Sequence, residues 1–272
     1  MSIFGTLTII ALILVVVFAI SMWFFKTNII YDKVLAANSE PTENNKIENS
    51  IFNDNQSANF MLSVWFYIDN WSGNIGKEKN VLYMASKKDV TTNTELTGTM
   101  TGISTQSSSV SDNTLNYKNL SISLDKYQNN LFIDMETYSE DGNSVYVRYI
   151  IKNIAVQKWN CIILSVDTKT LDVYLDGKLR NSFILPNLYR NALNGDSEKH
   201  IFLGKAHTNV NGFSGFITRV RYETNSIDPQ TAYDIYKEGI DAKSAGSVFD
   251  KYGLKVEFTE QGVSDPIGSF TI

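Results

Sequence analysis

An all-β fold, an antiparallel sandwich with one short helix behind a single N-terminal transmembrane helix, follows from three features of the sequence. First, 14 tyrosines and 15 phenylalanines stand against only 4 prolines, and valine, isoleucine and threonine recur throughout, a composition that favours strands. Second, from about Phe60 onward short runs with period-two alternation are separated by turn residues, the signature of a sandwich or barrel rather than of βαβ units. Third, "IFGTLTIIALILVVVFAISMWFF", Ile3 to Phe25, contains no charged residue.

At helical rise that N-terminal run spans roughly 35 Å, enough to cross a bilayer core with some tilt. A signal peptide is the competing reading, but such a peptide opens on a basic region and ends its shorter apolar core at small residues. Here "MSIFG" carries no charged side chain and the run ends in "MWFFK". Trp23, Phe24 and Phe25 would form an interfacial aromatic belt with Lys26 reaching to the headgroups. Lys26 and Lys33 follow the span and no charged side chain precedes it, which places the bulk of the chain on the cytoplasmic side of a single-pass membrane protein. Three Asn-x-Ser sequons, at Asn55, Asn70 and Asn119, would point the other way if glycosylated; in a chain this rich in Asn and Ser they are attributed to chance. Residues 1–33 are therefore read as the anchor, 34–57 as a polar stem and 58–272 as the domain. Within the stem, Ile47, Ile51 and Phe52 offer the alternative of a short docked edge strand.

Along the domain, "FMLSVWFYID" is an apolar strand of the kind buried in a sandwich core, and "VLYMAS" is a second. Lys87 to Asn116 has little periodicity; it is either an excursion or a strand around "GTMTGIST". The segment "NLSISLDKYQNNLFIDMETYSEDGNSVYVRYIIKN" reads as a meander of three strands, and "KWNCIILSVD", "TLDVYLDGKLRNSFIL", "HIFLGKA" and "FSGFITRVRYE" continue the series. In "DPQTAYDIYKEG", Asp228 is an N-cap, Pro229 opens the helix, Gly239 ends it, and Ala232, Ile235 and Tyr236 share one face, so a helix plugs the sandwich. "LKVEFTEQGV" and "IGSFTI" close the chain with one or two strands.

The stretch "SVDTKTLDVYLDGKLRNSF" holds Asp167, Asp172 and Asp176 within a dozen residues, a pattern that invites a metal or catalytic reading. Turn chemistry explains two of them. Asp176-Gly177 is a hairpin signal requiring positive φ at both positions, and Asp167 initiates the turn at "TKT". At about 3.3 Å per residue the strand between them keeps them too far apart to share an ion. The single cysteine, Cys161, lies in an apolar run and reads as a buried hydrophobe. A net charge of -5 without a basic stripe argues against a nucleic-acid partner.

The order of "FMLSVWFYID", "VLYMASK", Trp159 leading to Tyr174-Leu175-Asp176-Gly177, Leu203-Gly204, and Gly215-Phe216-Ile217 with Arg219 before a capped helix resembles the laminin-G-like, concanavalin A-like lectin/glucanase superfamily. The resemblance covers about Phe60 to Gly239 and implies a jelly-roll sandwich. Glucanases of that superfamily use a Glu-x-Asp-x-x-Glu strand. With Asp134 as the middle residue, Phe132 and Thr137 occupy the carboxylate positions, and Asp134 and Glu136 are read as solvated, so no catalytic residue is assigned. His200 and His207 read as surface or loop histidines, and no motif requires a metal or cofactor. A lectin site would use Trp71 and the loop residues Tyr189, Asn191 and Asn194 as platform and amides, with Asp196 and Glu198 added if calcium took part. The reading that follows is a non-enzymatic, membrane-anchored structural or interaction module with protein partners in an assembly. It resembles membrane-associated virion components of large DNA viruses. The alternative is a membrane-anchored lectin with glycan partners.

Overall fold

The computed structural model describes residues 28–48, 51, 57–86, 118–138, 140, 144–191 and 199–240, together with the backbone of 255–258 and 268–271. The chain divides into two compact units, residues 28–240 and a second made of 1–27 with 241–272. The segment Ile3 to Phe25 and the stretch Lys87 to Asn116 lie outside the described residues. Among those described, no helix is long and apolar enough to cross a membrane.

Residues 28–240 form two antiparallel sheets. One has the order β1 (Ile29–Tyr31), β13 (Ser214–Glu223), β4 (Phe60–Asn70), β9 (Trp159–Asp167), β10 (Thr170–Leu175), β11 (Lys178–Ile184), with β2 (Leu35–Ala36) also on β13. The other has the order β3 (Lys46–Glu48), β12 (Lys199–Leu203), β5 (Lys79–Ser86), β6 (Lys118–Leu124), β7 (Leu131–Tyr138), β8 (Ser144–Ile151). In the second unit β14 (Lys255–Phe258) pairs antiparallel with β15 (Gly268–Thr271). The all-β expectation and the two-sheet arrangement hold.

Strand alternation builds the core between the sheets. Phe60, Leu62, Val64 and Phe66 of β4 meet Leu82 and Met84 of β5, Leu120 and Ile122 of β6 and Ile133 of β7 in one buried cluster, because every second side chain points to the same face. β4 is apolar on both faces for a separate reason. Its odd residues Met61 and Trp65 face outward, where Cys161, Ile163 and Tyr174 join Ala232 and Ile235 of helix α1 (Pro229–Lys237). The helix thus covers the outside of the first sheet. Asp228 caps it by accepting from Thr231 N at 2.7 Å, and the Tyr236 ring stacks on Trp65 at 5.6 Å.

Residues 28–48, read from sequence as the end of the anchor and part of the stem, contribute three short strands to the two sheets. Ile29 pairs with Arg221, Leu35 with Ile217, and Ile47 with Ile201. The docked edge strand is the arrangement found at Ile47, which is buried in the inter-sheet core. Apolar residues spaced within a polar stretch suffice for this when an open sheet edge is within reach.

The hairpin of β10 and β11 has a two-residue turn. Leu175 pairs with Lys178, and Asp176 and Gly177 have φ of 51° and 72°, the left-handed pair that such a turn demands. Gly177 is needed twice over, since a Cβ there would lie 2.8 Å from the Cβ of Tyr236 on α1. Asp176 also does more than turn. It accepts from Cys161 N at 3.0 Å and from Lys158 Nζ at 2.7 Å. Asp176→Ala is therefore expected to cost about 2 kcal/mol, a turn preference plus a backbone N–H left without its acceptor, read as a lowered urea midpoint at unchanged m-value. A cost indistinguishable from zero would reduce the Cys161 contact to decoration.

Candidate functional site

The residues named for a lectin site do not form one constellation. Tyr189 is only 2 % exposed and lies in the inter-sheet core, its ring 4.9 Å from that of Phe60. The expectation of an exposed platform there is corrected. A bridge between Tyr189 and Thr137 pins the segment against β7, and that long-range pairing leaves no local sequence signal. Asn191 is also buried; its Nδ2 donates to Ser57 O at 2.7 Å and its Oδ1 accepts from Lys199 Nζ. Asn194, Asp196 and Glu198 lie outside the described residues. Trp71 is half-buried against the core, with Lys79 Nζ 4.9 Å from its ring centroid. Lys79 is itself buried and donates to Asp125 O at 3.1 Å; burial lowers its pKa, with Asp125 opposing. Trp71 therefore roofs a buried ammonium rather than standing free for a ligand.

The largest departure from the sequence reading concerns Asp134 and Glu136. Both are buried on the outer face of the second sheet, and the solvated reading is corrected. Arg148, directly across the ladder from Asp134, donates to it from Nε at 2.5 Å and Nη2 at 2.9 Å, and to Glu78 from Nη1 at 2.8 Å and Nη2 at 3.1 Å. Burial pushes the Asp134 carboxyl above the usual carboxylate range, opposed by the Arg148 guanidinium. Burial works against the Arg148 charge as well, yet its two carboxylates raise its pKa. Glu136 accepts from Asn119 Nδ2 at 2.7 Å and from Arg190 Nη1 at 2.9 Å. Arg148 grips Asp134 and Glu78 in two-pronged ion pairs, and Glu136 is held by one arm of Arg190 together with Asn119, so these carboxylates are engaged within the protein. His200 is likewise buried, on β12 rather than at the surface as expected, and His207 is half-buried with its pKa lowered by burial. Among the described residues no group of three or more His, Cys, Asp or Glu could hold a metal ion.

A different set of side chains remains open. Trp159, Tyr67 and Phe216 are consecutive across β9, β4 and β13. Their rings succeed one another at 5.6 Å and 6.4 Å between centroids. The row lies on the outer face of the first sheet beside α1, and Phe216 is 43 % exposed. Cross-strand aromatic pairs stabilise a sheet, so part of the row's purpose is structural. Its open edge nonetheless leaves aromatic surface available to a partner. Each of these residues falls in a strand that local alternation predicts, but register alone brings them together.

No protein-family model matches the chain, and no curated protein matches it. Among solved structures, it is similar to the binding domain of botulinum neurotoxin serotype G, at 14% identity over 76% of this chain and 45% of that one, with a TM-score of 0.47. The receptor-binding domain of botulinum neurotoxin D gives 12% identity, 78% and 45% coverage and 0.47. The binding domain of botulinum neurotoxin DC in complex with SialylT gives 12%, 78% and 44%, and 0.46. The chain spans less than half the length of these structures. At such identities and scores the likeness carries nothing about function.

Proposed function

We propose that this chain is a non-enzymatic interaction module held on a membrane by Ile3 to Phe25, with its domain on the cytoplasmic side and a protein partner on the aromatic row. The observation that carries the reading is the contrast between the two outer faces. Asp134 and Glu136, the carboxylates that share one strand face, are committed to Arg148 and Arg190, whereas Trp159, Tyr67 and Phe216 present partly open aromatic surface. Tryptophan and tyrosine are the residues that dominate protein interfaces energetically. The resemblance to membrane-associated virion components of large DNA viruses supports placing the module in a fixed assembly between a lipid layer and a protein shell.

A photo-crosslinking residue at Phe216 in the membrane-bound full chain is expected to give one discrete protein adduct of fixed stoichiometry, lost in Trp159→Ala. A smear of adducts, or the same adduct in Trp159→Ala, would sink the reading. The row also favours a second reading, the lectin, since sugar rings stack on aromatic faces. Saturable binding of the full chain on a glycan array, abolished by Trp159→Ala, selects that reading instead.

The membrane part is tested separately. The full chain is expected to resist carbonate extraction, and Asn70, an exposed sequon at the end of β4, to remain unmodified. Asn119 is buried and offers no acceptor in the folded domain. Carbonate release contradicts the anchor. An endoglycosidase-sensitive mobility shift that disappears in Asn70→Gln contradicts the cytoplasmic side.

A further inference from the structure

The end of the sandwich where β4 runs into β5 gathers three loops, 71–78, 125–130 and 152–158. Backbone hydrogen bonds lock them together: Gly76 N to Lys126 O at 3.1 Å, Ile154 N to Asn129 O at 2.7 Å, and Gln157 N to Ile68 O at 2.7 Å. Beneath them Lys79 Nζ ties the second loop to the start of β5. Each loop turns a large apolar side chain outward. Ile75 is 62 % exposed, Tyr127 70 % and Val156 38 %. Each of these has a lysine within two residues in sequence, Lys77, Lys126 and Lys158, and Lys152 stands at the base of the third loop.

Folding does not ask for this arrangement. A turn tip needs small or polar residues, and an isoleucine, a tyrosine and a valine displayed at three adjacent tips gain nothing from the protein's own core. Several acids at this end are turned inward. Asp125 accepts from Tyr127 N and Asn130 Nδ2, Asp176 from Cys161 N and Lys158, and Glu78 from Arg148. Asp69 remains exposed. Apolar tips ringed by lysines match the boundary of an anionic bilayer, where side chains enter the acyl edge and ammonium groups meet phosphate and carboxylate headgroups.

We propose that loops 71–78, 125–130 and 152–158 form a rigid rim that docks on an anionic lipid surface through Ile75, Tyr127 and Val156, with Lys77 and Lys152 supplying charge. This rim is distinct from the aromatic row and from the N-terminal segment. It stands whether or not Ile3 to Phe25 spans a bilayer, and carbonate extraction reports on that segment alone.

For the test, the full chain is kept with phosphatidylcholine nanodiscs, which take up Ile3 to Phe25 if that segment is an anchor and leave the chain free in solution if it is not, and is presented with vesicles of phosphatidylcholine, with or without phosphatidylserine. Residues 1–27 are common to every variant, so any contribution they make cancels in the comparison. The wild type is expected to capture phosphatidylserine vesicles in preference, and less so at high salt. Ile75→Ser with Tyr127→Ser should weaken capture by about tenfold. Lys77→Gln with Lys152→Gln should weaken it by roughly 25-fold, about fivefold per lysine. All four side chains are exposed, so both variants keep the wild-type melting temperature. Equal capture of the two vesicle types by the wild type, or wild-type capture by both double variants, overturns the proposal.

Discussion

Arg148→Ala is expected to destabilise the domain by about 3–5 kcal/mol, the range found when one partner of a buried ion pair is removed. The guanidinium is buried between two carboxylates and lies 4.5 Å over the Phe132 ring. Its removal leaves Asp134, nearly free of solvent, without the guanidinium that pairs with it, and Glu78 without its bidentate partner. Urea denaturation of the full chain measures the loss as a fall in midpoint. Two further variants separate charge from packing. Arg148→Met combined with Asp134→Leu should recover much of the loss, because an apolar pair of similar volume avoids the desolvation that the ion pair must overcome. Arg148→Lys should recover little, since an ammonium cannot reproduce the two-pronged contact with both carboxylates. A loss below about 1 kcal/mol for Arg148→Ala, the range of exposed pairs, would mean that water reaches this face.

Gly215→Ala should be nearly as costly, about 3 kcal/mol or more, and for a backbone reason. Gly215 lies at a bulge where β13 passes β4. A Cβ there would fall 1.9 Å from Tyr67 O and 2.8 Å from the Phe213 ring. Backbone cannot give way as a flexible side chain does, so β13 must separate from β4 or from Ala37, whose N donates to Gly215 O at 2.9 Å. Gly73→Ala is the control, since its Cβ would meet Ser214 Cβ at an ordinary 3.5 Å. Equal melting temperatures for the two variants would contradict the close approach. A Gly215→Ala variant that still folds should also perturb the Tyr67 end of the aromatic row, tying the crossing of these strands to the proposed partner surface.

Several elements of this protein were legible from local pattern. The alternation in β4, β9 and β10, the Asp176-Gly177 turn and the capped helix at Asp228 each depend on neighbours within a few residues, where φ preferences, capping and period-two burial act. The doubly apolar character of β4 was visible too, but not its cause. Met61 and Trp65 are apolar because α1, more than 150 residues later, packs over them.

Packing between distant strands, by contrast, settles which polar residues are covered. Alternation along β7 puts Asp134 and Glu136 on the face opposite Ile133 and Met135, and from sequence a face bearing two carboxylates reads as solvent. Whether that face is wet depends on Arg148, one strand away, and on Glu78 and Arg190 from distant loops. The same holds for Tyr189, drawn into the core by its bridge to Thr137, and for Trp159, Tyr67 and Phe216, which strand register alone aligns. Periodicity assigns a side chain to a face within its own strand, at a cost set by the next few residues. Burial and pairing are set by contacts between strands far apart in the chain, and no local preference encodes those distances.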